Sequence, residues 1–432
     1  MLRQPAYRRT LLFCGLIGIP VSLVAFWFLV LLHELERLVW VDWPHRLGWS
    51  NPPWWWPLPP ALVSGAVVAL VVLRFPGRGG HVPAGGLQPG GASKAAVPGV
   101  VLAALASLPL GAVLGPEAPL IALGGGLALM FRDLVRVPAT GANTELLGAA
   151  GAASAISVIF GSPLVAAVLL MEVSGVGGPQ LFAVMLPVLL AGGIGAIVFT
   201  GFGHWTGLKT GSLEIGLPAP SVLDAGDVVW SVLMAVVIGA AIHWIIVGGR
   251  IAARLVVAHP LRNTVLCALG AAVCAALYAV LTGRSPSDVA LSGQSMLGQL
   301  ATDPHAWSVG SLVAVLAFKG VAYALCLGSL RGGPAALFLG GATGALLAPL
   351  PGLGVVPGVA AGMAASSAAA LRLPVSCVVL VVLMVGNSGT VPVIVLAAVV
   401  SFVTTELLSQ GPGIPVFSDG ARRAPRPASS RP

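Results

Sequence analysis

Charge is what this chain has least of. Asp, Glu, Lys and Arg make up 8% of 432 residues, fourteen acids against twenty-two bases. A soluble domain carries about 25% charged residues because its surface must be solvated. That shortage excludes a soluble enzyme. Cysteine is scarce too: Cys14, Cys267, Cys274, Cys326 and Cys377 all lie inside apolar runs without metal-like spacing. They read as small buried hydrophobes, which excludes a disulfide scaffold and a cysteine metal centre. What is present instead is apolar: 57% hydrophobic residues and a mean hydropathy of +0.97. The chain belongs in a bilayer.

The net charge of +8 does not point to nucleic acid, because the bases gather at the ends. Arg3, Arg8 and Arg9 precede the first apolar run, and Arg422, Arg423, Arg426 and Arg431 follow the last. Basic flanks stay on the cytoplasmic side, so both termini are expected there, with an even number of crossings of the cell membrane. The first run, Leu11 to Leu32, is too long for a signal-peptide core and lacks a small-x-small cleavage site, so it reads as a true span.

The apolar runs are uneven. Long ones cover 10–40, 57–74, 178–202, 224–257, 262–282, 307–326 and 388–408; shorter ones, broken by Gly and Pro, cover 96–113, 118–135, 145–159, 162–175, 334–349, 355–371 and 374–386. A helix needs about 20 apolar residues to cross. Broken helices at membrane depth are tolerated only where they are buried in protein or line a cavity. Trp40, Trp43 and the Trp54-Trp55-Trp56 run mark interfaces, not a cofactor site. The tail after Leu408 is too polar to fold alone, and no cytoplasmic domain is expected to follow.

The halves repeat. Gly151/Gly362, Pro163/Pro374 and Gly175/Gly386 each lie 211 positions apart, as do Ala153/Ala364, Val168/Val379 and Leu169/Leu380. Upstream, Gly115-Pro116-Glu117-Ala118-Pro119 answers Arg331-Gly332-Gly333-Pro334, each before a short apolar helix with a glycine pair. Broken segments at corresponding places in two halves point to a transport site at the midplane. The expected organisation is an N-terminal segment and first helix over 1–56, a first repeat over 57–202, a linker over 203–223, a second repeat over 224–408 and a polar tail over 409–432. The fold class is all-α polytopic, with inverted halves.

Three acids lie in or beside the central segments of the first half: Glu117, Glu145 and Glu172. Glu145 follows Asn143-Thr144 and suits a capping turn. Glu117 opens a helix whose body, Leu120 to Phe131, carries no charge. The free N–H groups and positive dipole end there favour a carboxylate, and would hold a free anion equally well. Carboxylate and anion therefore compete, and protonation would free the site. Within a membrane core such an acid is a functional candidate by default.

Leu114-Gly115-Pro116-Glu117-Ala118-Pro119 resembles the Gly-Lys/Arg-Glu-Gly-Pro motif of the CLC chloride channel and transporter family. Gly151 to Glu172, with Ser162-Pro163-Leu164, resembles that family's Gly-rich helix and Asn-Ala-Pro-Leu segment. Lys319 to Gly333 is similar to the stretch before its Gly-x-Phe-x-Pro loop, and Gly79-Gly80-His81-Val82-Pro83 lies where it has Gly-Ser-Gly-Ile-Pro. Four motifs occur in order across about 60–418. The resemblance implies a homodimer, each subunit with its own anion pathway formed by helix N-termini, and a gate at Glu117. It implies an anion site at Gly80, His81, Gly115, Pro116, Glu117, Gly333, Ala335 and Phe417. Apart from the resemblance, Glu117 could serve the outer stage of a proton path, with Glu172 as a bypass at the inner stage.

The departures are informative. The family's coordinating serine falls at Gly80, its Phe and second Pro at Ala335 and Leu337, and its tyrosine at Phe417, which has no hydroxyl to donate. Pro334 removes an N–H donor. The family's inner proton-relay glutamate falls at Val173, and Glu172, one position away on a helix, points about 100° aside. Weak or absent proton coupling is expected. Lys319 reads either as a lysine paired with carbonyls or as an anion attractor; His81, between Gly and Pro, reads on its own as a loop histidine.

The leading reading is transport of chloride, with fluoride or another small anion as the alternative that the missing hydroxyls favour. An intramembrane protease would need Gly-x-Ser-x-Gly and a histidine on a neighbouring helix; that motif does not occur, and His243 has no evident serine partner. No enzyme, cofactor or metal is expected.

Overall fold

The computed structural model describes residues 5–87, 93–136, 141–175, 178, 180–207, 223–302, 306–334, 336–409 and 411–413. Its first half contains helices α1 (Pro5–Arg37), α2 (Trp43–Arg46), α3 (Leu58–Arg74), α4 (Val97–Ser107), α5 (Glu117–Leu134), α6 (Gly141–Phe160), α7 (Pro163–Ser174) and α8 (Gln180–Thr206). The second contains α9 (Ala225–Ala258), α10 (Pro260–Thr282), α11 (Gln294–Thr302), α12 (Val309–Ser329), α13 (Leu337–Leu347), α14 (Val355–Leu371), α15 (Pro374–Val385) and α16 (Val391–Leu407).

Among the described residues, six helices are long and apolar enough to cross a membrane. They meet the expected long runs with one correction. The run 57–74 forms a 17-residue helix, α3, started by prolines and stopped before Pro76. A proline cannot extend the helix there, so α3 joins the short apolar helices. A second difference concerns Glu145. Because α6 already begins at Gly141, Glu145 sits inside its first turns and not in the capping turn.

One packing scheme occurs twice. Helix α5 packs on α6 as α13 packs on α14; α6 on α8 as α14 on α16; α7 on α8 as α15 on α16; and α1 on α8 as α9 on α16. Helices α7 and α15 are matched in detail: each has 12 residues, begins at a proline (Pro163, Pro374) and ends on a left-handed glycine, Gly175 at φ 61° and Gly386 at φ 67°. Proline suits the first helical position because its missing N–H would be unpaired there anyway, and glycine enters the left-handed region without steric cost.

Glycine sets the distance between the central helices. A Cβ on Gly124 would strike the Gly151 carbonyl, and one on Gly340 would strike the Gly362 carbonyl. Both α5–α6 and α13–α14 thus meet backbone to backbone, as close-packed membrane helices do. Outside, large apolar side chains such as Ile197 (72% exposed), Trp205 (80%) and Leu407 (82%) face outward. The Trp55 and Trp56 rings cluster with Trp49, and Trp56 Nε1 donates to the Val39 carbonyl at 3.0 Å, anchoring this edge.

Candidate functional site

The short helices α5 and α13 begin in one place. Gly115 N donates to Gly333 O at 2.9 Å, and Gly333 N donates to Gly115 O at 2.5 Å. This antiparallel pair is the isolated bridge among the described residues. It ties the loop before α5 to the loop before α13, so two positive helix ends converge on the same small volume.

Glu117 is the first residue of α5, behind Pro116 as N-cap, and is buried. Its carboxyl group lies over the paired glycines: a Cβ on either Gly115 or Gly333 would collide with it. Only glycine leaves that room. Oε2 is buried with no hydrogen-bond partner. A buried carboxylate oxygen without a donor is costly, so this is the strained point of the site.

Glu117 also opens onto a cavity of about 20 Å³, whose walls include Leu87, Phe160, Leu337, Ser367 and Ser376. That volume seats about one water. Ser376 stands at its α15 wall, and its Oγ donates to Glu172 Oε2 at 2.6 Å. Glu172 accepts further from Ser376 N at 2.7 Å and Val375 N at 3.0 Å. It therefore fills the N-terminus of α15 as a free anion would.

The loop that carries Gly79-Gly80-His81-Val82-Pro83 adjoins this arrangement. Pro76–Gly79 forms a 3-10 turn, and Gly80 follows at φ 97°, ψ −170°. A side chain is strained in that backbone conformation, so the glycine in place of serine is built into the loop. Pro83 is buried and His81 exposed. Arg331 Nε donates to Arg78 O at 3.3 Å and ties this loop to the Leu330–Gly333 segment.

The structure thus brings Gly115, Pro116, Glu117 and Gly333 together, sets Gly80 and His81 in the neighbouring loop, and holds Glu172 behind Ser376. Ala335 and Phe417 lie outside the described residues. Lys319 is settled: its buried Nζ donates to the carbonyls of Asp288, Val289 and Leu291 at 3.1 Å and of Ala290 at 3.4 Å, 4.8 Å above the Phe338 ring centroid. It pairs with carbonyls, as one of its two sequence readings has it. Sequence reasoning assigned no role to Ser376 or to the Arg331 side chain. The signals existed: Ser376 sits two positions after the repeated proline, and Arg331 is a lone base in an apolar run.

The voltage gated chloride channel family model matches residues 84–406. Curated relatives include YfeO, named an ion-transport protein, from Salmonella choleraesuis (strain SC-B67) and Salmonella paratyphi A (strain ATCC 9150 / SARB42). Each is 28% identical over 204 residues, 45% of this chain and 48% of the relative. The chain spans about half the length of the curated relatives it matches. Among solved structures it is similar to a slow cyanobacterial Cl−/H+ antiporter, with TM-score 0.73, 19% identity and coverage of 94% of this chain and 96% of that one. It is also similar to a CLC-type fluoride/proton antiporter, with TM-score 0.69, 18% identity and coverage of 94% and 97%. These likenesses establish the fold: all-helical, with the architecture of CLC transporters.

Proposed function

The chain belongs to the voltage-gated chloride channel family, and from that premise we propose that it carries chloride or a similar small anion across the cell membrane, gated by Glu117. The observation that supports this most directly is the position of the Glu117 carboxyl group. It covers the meeting point of two helix N-termini, and its Oε2 has no partner. An anion is favoured at such a point for the same reason as the carboxylate. When the carboxylate is in place the seat is taken; protonated or displaced, it yields the seat to the anion.

Fluoride is the second reading. Gly80 offers no hydroxyl, and its φ of 97° disfavours a residue that could supply one. Transport is proposed to be closer to passive conduction than to fixed exchange with protons. Glu172 is held by three donors at the α15 N-terminus, and the neighbouring Val173 cannot carry a proton. Two copies in a homodimer, both termini cytoplasmic, complete the proposal.

The test is anion efflux from liposomes containing the purified chain, with internal pH followed at the same time. Efflux of chloride or fluoride above that of protein-free vesicles supports the reading. Efflux of neither anion above that background sinks it.

A further inference from the structure

Arg331 is a buried cation without a carboxylate. Its residue is 3% exposed, and among the described residues no acid lies within ion-pair distance of it. Its bonds among the described residues run to neutral groups: Nε to Arg78 O at 3.3 Å, Nη1 to Leu330 O at 3.2 Å, and its backbone N to Ser107 Oγ at 3.2 Å. Carbonyl oxygens satisfy single N–H groups but leave the net charge uncancelled. A guanidinium presents five donors in a planar fork, and the described bonds use two of them. The other three, including both on Nη2, are open to a further acceptor.

Position makes this more than a structural tie. The Leu330–Gly333 segment runs from the Arg78 carbonyl at one end to the Glu117 carboxyl at the other. Gly79 lies directly against the Arg331 stem, since a Cβ there would stand in ordinary contact, 3.5 Å from Arg331 Cγ. The loop that lost a hydroxyl at Gly80 therefore rests against a side chain that brings a full positive charge.

We propose that Arg331 is an anion-binding residue of the pathway, its counterion being the transported small monovalent anion itself. The guanidinium holds the anion beside the Arg78–Gly80 loop, before it meets Glu117. This rests on the transport reading above and adds to it the residue that sets anion affinity. A buried, uncompensated charge is unfavourable when the pathway is empty and relieved when an anion enters, so occupancy and protein stability are linked.

The experiment measures thermal unfolding of the full-length chain in detergent across sodium chloride and sodium fluoride series, with gluconate as the balancing anion, alongside efflux from liposomes. In the wild type the anion raises the unfolding temperature. In Arg331→Gln the half-maximal concentration rises about tenfold or more, the usual weight of a hydrogen bond to a charged group, and efflux saturates correspondingly later. Arg331→Lys keeps a point charge without the fork and falls between the two. If Arg331→Gln does not fold, the lysine variant decides alone. An unchanged half-maximal concentration in the variant that folds overturns the proposal, even if that variant unfolds at a lower temperature, because Arg331 is then only a tie between loops. A wild-type chain that neither moves nor is stabilised by either anion overturns the transport reading instead.

Discussion

Glu172 and Ser376 are joined twice: Glu172 Oε2 accepts the Ser376 hydroxyl at 2.6 Å and the Ser376 backbone N–H at 2.7 Å. They come from the matched helices α7 and α15, so the end of one copy supplies the cap of the other. The arrangement is not reciprocal. The position 211 residues after Glu172 is Leu383, and Ser162 makes no side-chain cap at the start of α7. One helix N-terminus is closed by an internal carboxylate, whereas the Glu117 end keeps an unpartnered oxygen. The repeat matched α7 with α15, and side chains made their N-termini different.

Removing that cap is expected to loosen the α7–α15 contact without stopping transport. Glu172→Gln and Ser376→Ala should each lower stability by about 1–2 kcal/mol, the range of N-cap losses, with anion efflux retained. Thermal unfolding in detergent and liposome efflux, on the same preparations, check both parts.

Glu117→Gln is expected to mimic the protonated gate. Anion efflux should persist while its pH dependence disappears. Efflux rates measured at several external pH values test this, and a variant keeping the wild-type pH response would place the gate elsewhere.

Coupling has its own test. With an imposed anion gradient and a pH dye inside the vesicles, no uphill proton movement at fixed stoichiometry is expected. Uphill movement lost in Glu117→Ala but kept in Glu172→Gln would reveal a relay that passes through neither Val173 nor Glu172.

Lys319→Met should be destabilising by roughly 2–4 kcal/mol, because it leaves the carbonyls of Asp288 to Leu291 short of a charged donor in a buried place. Thermal unfolding of the detergent-solubilised variant measures it. A loss of efflux in a variant that unfolds at the wild-type temperature would contradict the structural role.

The glycine contacts make a paired prediction. Gly340→Ala drives a methyl into the Gly362 carbonyl and should cost about 1–3 kcal/mol or more, as overpacking does. Gly148→Ala, also in a helix but with nothing within 4 Å of the added Cβ, should be neutral or stabilising by up to about 1 kcal/mol. Unfolding temperatures of the two variants decide it.

Much of this was legible in the chain alone, because it depends on composition and local pattern. Scarcity of charge placed it in the bilayer, the 211-residue offset of Pro163/Pro374 and Gly175/Gly386 marked matched helices, and Gly115-Pro116-Glu117 announced a helix start with an acid on it. Each follows from local rules: proline begins helices, glycine ends them, and a carboxylate suits an N-terminus. What only the tertiary structure decided was which distant groups meet. No local rule pairs Gly115 with Gly333, lays the Lys319 amine against four carbonyls some thirty residues away, or brings Ser376 to Glu172. Nor could the sequence say that Arg331 is enclosed without an acid, since a base is defined electrostatically by its neighbours in space. Those relations arise from helices packed backbone to backbone through glycine, and that packing decides which buried charge is neutralised and which is left for an ion.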